Sequence, residues 1–145
     1  MSTIKNIDGP KDFVFRVLSG VAIGIVAGLV PNAILGEIFK YFMQYHPIFK
    51  TLLGVVQAIQ FTVPALIGAL IAMKFNMTPL AIAVVASASY VGSGAAQFKQ
   101  GTWVIAGIGD LINTMLTASI AVLLILLIEE RAGSMALIVF PDRKS

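Results

Sequence analysis

Of the 145 residues, 58% are hydrophobic and only 12% charged, and the mean hydropathy is +0.93. Soluble domains carry about 25% charged residues, so the composition excludes an ordinary soluble protein and points to an all-α membrane bundle. The net charge of +3 is scattered, which excludes a nucleic-acid partner, while the absence of cysteine and the single histidine, His46, exclude disulfides and thiolate or histidine-based metal sites.

Residues 1–12 form a polar lead without the apolar core of a signal peptide, so the first apolar run is read as a retained span. Gly9-Pro10 marks a turn, and Asp12 is placed to cap a helix starting near Phe13. Four runs, 17–36, 51–73, 75–98 and 111–128, contain no Asp, Glu, Lys or Arg. Each is about long enough to cross the roughly 30 Å of hydrocarbon in a bilayer. In the first, Gly20, Gly24 and Gly28 recur every fourth residue and form a helix-packing face that a neighbouring helix can approach closely, and self-association, or association with a second half, is expected through it.

Pro31 and Asn32 are expected to end or kink that helix. Residues 32–47 then read as an interfacial amphipathic helix, with Ile34, Leu35, Ile38, Phe39, Phe42 and Tyr45 to one side and Glu37, Lys40 and Gln44 elsewhere. Tyr41, Tyr45 and His46 suit the headgroup level. In the second span Gln57 and Gln60 share a face that is expected to look into the bundle, and Pro64 is expected to bend the span near its middle. Thr78-Pro79 opens the third run with a cap and a proline at the first helical position. Its Ala, Ser and Gly content suits tight packing and places this helix centrally, as far as Gly92-Ser93-Gly94.

The segment 97–109 is too short and too polar to cross, so a re-entrant loop and an interfacial hairpin anchored by Trp103 both fit. Asp110 is positioned as the N-cap of the fourth span, and Asn113, Thr114 and Thr117 follow it on one face. Asp110, Asn113 and Thr117, with Gln97 and Lys99 from the preceding segment, are therefore the candidate substrate-binding residues for a polyhydroxylated or amide-bearing solute. Simple capping by Asp110 is the alternative reading. Glu129, Glu130 and Arg131 are expected to close the span, with Gly133 as a helix end, and the apolar run 132–141 that follows reads as a segment cut short.

The stretches LSGVAIGIVAGLVPNAILGEIFK, MKFNMTPLAIAVVASASYVGSGAAQFKQG and GIGDLINTMLTA, in that order, resemble the IIC-type membrane subunit of the bacterial sugar phosphotransferase system, in its perfringolysin-regulator-like branch. The resemblance covers nearly all of the chain and is to the N-terminal half of members about twice as long. It implies a permease component for a small hydrophilic solute, a sugar, in the bacterial inner membrane, with phosphoryl transfer left to separate IIA and IIB partners. A membrane sensor that binds a ligand or partner without transport is the competing reading. The expectation is thus a single multi-pass membrane domain over 1–145, of about four transmembrane helices, an interfacial helix and a re-entrant or interfacial break. It has no catalytic residues, cofactor or metal, and it forms a homo-oligomer or associates with a second half.

Overall fold

The computed structural model describes residues 9–139, with side chains through Arg131. The polar lead at 1–8 and the terminal PDRKS lie outside the described residues. Five helices, α1 (Pro10–Phe42), α2 (Ile48–Gln60), α3 (Val63–Lys74), α4 (Pro79–Gly92) and α5 (Leu111–Val139), are joined by short turns, with strands β1 (Ala96–Lys99) and β2 (Thr102–Ile105) between α4 and α5. The described residues are therefore mostly helical with one β-hairpin, rather than purely helical.

Helix α1 starts at Pro10, so Asp12 lies inside its first turn, where the carboxylate accepts from Arg16 Nε at 2.9 Å. The expected break at Pro31 is absent. The helix runs through it to Phe42, and 32–42 belongs to one continuous helix of 33 residues instead of a separate interfacial one. Proline costs an interior helix one hydrogen bond, which neighbouring groups can compensate in membrane helices. Here Asn32 Nδ2 donates to Gly28 O at 2.7 Å, adding a bond in the weakened turn. At about 1.5 Å per residue α1 is some 50 Å long, so it exceeds the hydrocarbon thickness and carries Glu37 and Lys40 beyond the charge-free run.

Pro64 acts as expected on the second run. It occupies the first turn of α3, and α2 and α3 meet at a 40° bend across Phe61-Thr62. Thr62 Oγ1 closes the end of α2 by donating to Ile59 O at 2.7 Å. Among the described residues two helices, Pro10–Phe42 and Leu111–Arg131, are long and apolar enough to cross a membrane, and the bent α2–α3 pair makes a third if it is one span. Helix α4 begins at the expected Thr78 cap, whose Oγ1 accepts from Ala81 N at 3.3 Å, and ends at the expected glycines, but its 14 residues reach only about 21 Å.

The central helix is α3, not α4. Val63, Pro64, Ile67, Gly68, Ile71 and Ala72 are all buried, and α3 packs on α1, α4 and α5. Its apolar residues lie all round the helix, as a core position requires. Helix α4, by contrast, leaves Leu80, Val84 and Val91 exposed on its outer side. The core joins Val17 of α1, most of α3, Phe75, Met77, Ala81 and Val85 of α4, and Ala118, Val122 and Leu126 of α5. Glycines set the spacing between these helices. Gly20, Gly24 and Gly28 lie against Ile71, Ile67 and Val63, so α1 and α3 run antiparallel, and the glycine face of α1, expected to carry association with another chain, is instead filled by α3 of the same chain. Gly68 lies against Ser89, and Gly92 against Thr117. Gly133 does not end α5, whose backbone continues to Val139.

Candidate functional site: the α4–hairpin–α5 junction and the α1–α2 cleft

Helix α4 ends at Gly92 because Gly94 takes a φ of +84°, and the chain turns out into the hairpin. Ser93 organises the junction. Its Oγ donates to Tyr90 O at 2.7 Å and accepts from Ala95 N at 3.0 Å, and its carbonyl accepts from Asp110 N at 2.8 Å. Ala106 N donates to Ala95 O at 2.7 Å, so both ends of the hairpin are tied to the end of α4. Gly109, at φ +82°, passes so close that an added Cβ would lie 2.8 Å from Ser93 Cβ.

Of the two readings of segment 97–109, the hairpin is the observed one. Strands β1 and β2 pair antiparallel through Gln97↔Val104, Phe98↔Trp103 and Lys99↔Thr102. The two-residue turn Gln100-Gly101 has φ of 51° and 80°, the doubly positive pattern of a tight hairpin turn. Alternation along paired strands gives the ribbon two faces. One holds Phe98, Trp103 and Ile105, all exposed, with the Phe98 and Trp103 rings 5.5 Å apart; the other holds Gln97, Lys99 and Thr102.

The five nominated residues fall into three environments. Asp110 is exposed and caps α5, its Oδ1 accepting from Ile112 N at 2.8 Å and Asn113 N at 3.2 Å. Asn113 is exposed beside it on the first turn. Thr114 and Thr117 turn toward the bundle: Thr114 is fully buried, with Oγ1 donating to Asp110 O at 2.8 Å, and Thr117 packs on Gly92. Gln97 folds back on the hairpin base, Nε2 donating to Gly94 O at 3.2 Å. Lys99 sits near the ribbon tip, about 10 Å along the strand from Ala96, and makes no ion pair among the described residues. Ser93 therefore brings Asp110, Asn113 and Gln97 to one end of the bundle, and Lys99 extends from it.

A second polar concavity lies between the C-terminal half of α1 and α2. It measures about 210 Å³ and is lined by Asn32, Gly36, Glu37, Lys40, Leu53, Val56, Gln57 and Gln60, among others. The shared face of Gln57 and Gln60 is legible in the sequence, but it does not turn into the bundle as expected: Gln57 is exposed and Gln60 half-buried, because α2 buries Val56 and packs mainly on α1; Asn32 is read there as a helix breaker and Glu37 and Lys40 as an interfacial fringe. Position 32 continues the every-fourth-residue series of buried small residues, 20, 24, 28 and 36, and that register was the available signal.

A family model described as "Phosphotransferase system, EIIC" matches residues 15–142. No curated protein and no solved structure matches the chain. The matched range takes in the helices, except the first five residues of α1, with the hairpin and both polar regions, and the apolar helices are those of a membrane protein. The chain therefore belongs to the phosphotransferase system EIIC family, and it is a permease component of that system.

Proposed function

We propose that the chain is a multi-pass permease component of the bacterial inner membrane that handles a sugar-like solute at the α4–hairpin–α5 junction, with IIA and IIB partners supplying the phosphoryl group. The observation that carries the reading is the junction itself: between two apolar helices the backbone leaves the helix, and a carboxylate and two carboxamides stand at that end of the bundle, with the Lys99 ammonium group farther out toward the hairpin tip. Irregular backbone in a membrane protein is tolerated where it is buried in protein or faces water. A sugar needs donors and acceptors side by side. Asp110 keeps Oδ2 available while Oδ1 caps α5, Asn113 offers one donor group and one acceptor, the Gln97 oxygen accepts, and Lys99 donates. Thr117 supports this edge through its packing on Gly92 instead of touching solute.

Thermal unfolding of the purified protein in mild detergent, with glucose, galactose, mannitol and N-acetylglucosamine as probes, tests the proposal. One of these sugars is expected to raise the midpoint. Asp110→Asn keeps a good N-cap but removes the charge, so the shift falls by the equivalent of about 1 to 3 kcal/mol of binding. Asn113→Leu leaves the cap intact and also reduces the shift. Equal shifts in the parent and both variants, or none in the parent, defeat the assignment.

A further inference from the structure

We propose that the β1–β2 ribbon is a membrane anchor that lies in the headgroup layer on the Asp110 side of the bilayer and takes an anionic phospholipid. Its depth follows from α5. The charge-free run 111–128 is flanked by Asp110 and Glu129 and is about 27 Å long as a helix, close to the roughly 30 Å of hydrocarbon, so Asp110 stands at one edge of the hydrocarbon. Asp110 N donates to Ser93 O at 2.8 Å and Ala106 N to Ala95 O at 2.7 Å, which holds the base of the ribbon at that edge. The headgroup layer beyond it is only about 5 to 8 Å deep, whereas the ribbon from Ala96 to its turn is about 14 Å long. An upright ribbon would carry its aromatic pair toward water. A ribbon lying in the layer keeps the pair at the boundary, where aromatic rings are favoured.

The two faces of the ribbon suit that layer. Phe98, Trp103 and Ile105 are 61%, 61% and 63% exposed and share one face, and the ribbon's main contact with the described helices is with α4, so this face is uncovered by the bundle. Lys99 and Thr102 are paired on the opposite face beside the turn and offer an ammonium and a hydroxyl group together. Residues 94–109 contain no Asp or Glu, so nothing within the ribbon cancels the lysine charge. The phosphate of an anionic lipid supplies the opposite charge, and the long lysine stem can run along the ribbon to reach it. A protein partner fits less well, since a stable interface takes roughly 20 to 30 residues a side. The two strands offer eight residues, half of them on the apolar face.

Trp103 is the one tryptophan of the chain, so its fluorescence reports this face alone. The full chain is reconstituted in vesicles of phosphatidylcholine and phosphatidylglycerol, in which either lipid is replaced by an analogue brominated near the headgroup or near the ends of its acyl chains, with iodide as the quencher in water. Bromines near the headgroup are expected to quench Trp103 more than bromines near the chain ends, and iodide to quench it far less than it quenches free N-acetyltryptophanamide. At equal mole fraction, phosphatidylglycerol should be preferred over phosphatidylcholine by about five-fold in apparent association, the worth of one lysine beside an anionic surface. Lys99→Arg should keep that preference. Lys99→Gln should lose it while Trp103 stays at the same depth, which separates loss of the cation from loss of the fold. Ile105→Gln, on the apolar face, should raise iodide quenching more than Val104→Gln on the other face. Free access of iodide without quenching by bromine means a ribbon standing in water, and stronger quenching by the deep bromines means a ribbon sunk in hydrocarbon; either result overturns the proposal. Shielding from both quenchers, which means that a protein covers the face, overturns it too, as does equal quenching by the two lipids. No sugar enters the experiment, so its outcome is independent of the thermal shifts that test the junction.

Discussion

A methyl group at Gly20 would sit 2.6 Å from the Ile71 Cα, and at Gly24 it would lie 3.0 Å from the Ile67 Cα. At Gly28 the nearest atoms all belong to side chains, with Val63 Cγ2 at 2.8 Å. Backbone cannot turn aside as a side chain can, so the three alanine substitutions should destabilise in the order Gly20, Gly24, Gly28. Gly20→Ala should cost about 1 to 3 kcal/mol, the usual range for overpacking. Thermal midpoints in one detergent check the order, and a larger loss at Gly28 than at Gly20 would contradict this packing. Gly109→Ala should be damaging for two reasons, its φ of +82° and the contact with Ser93. The four-residue spacing of the glycines was legible in the sequence. Their neighbour was not, because a small-residue stripe says that some helix comes close without saying which.

Two prolines inside apolar runs had opposite outcomes at the scale of the element. Pro64 follows the Phe61-Thr62 break and opens a new helix, whereas Pro31 is carried through an unbroken α1. A residue pattern gives both the same local cost, and packing decides between them. Past Pro31 the Gly28–Asn32 bond supports the helix, and Gly36 lies near Leu53 where α1 continues along α2. The hairpin was one of two readings of its segment, and the Gln100-Gly101 turn selects it. Gln100 holds a φ of 51°, which asparagine adopts more readily, so Gln100→Asn should stabilise the ribbon and Gln100→Pro should disrupt it. Trp103, the one tryptophan, pairs with Phe98 and reports the ribbon through its fluorescence. A blue-shifted, less quenchable emission is expected for the asparagine variant, and identical spectra for both variants would argue against the ribbon.

For the whole molecule, the contacts of Gly28 with Val63, Gly68 with Ser89 and Gly92 with Thr117 fix the relative directions of α1, α3, α4 and α5. They place the hairpin at the end of the bundle where α1 continues toward Lys40, and Lys74 and Arg131 at the other end. Single cysteines at Lys50 and Lys99 should therefore label from one side of the membrane, and cysteines at Lys74 and Arg131 from the opposite side. Labelling of positions 99 and 74 from the same side would rule the arrangement out. The class of the protein was legible from composition and its family from the quoted stretches. The location of the α1–α2 cleft was not, since it depends on a helix continuing where proline suggests it should stop. The central claim, a permease component acting on a sugar at the Asp110–Asn113 edge, is tested most directly by counterflow of labelled sugar in proteoliposomes loaded with the same unlabelled sugar. The account predicts exchange by the parent chain for the sugar that raises its thermal midpoint, and a loss of at least about ten-fold in Asn113→Leu, in line with about 1.4 kcal/mol of lost interaction. Equal exchange by the folded variant, or none by the parent chain, would contradict it.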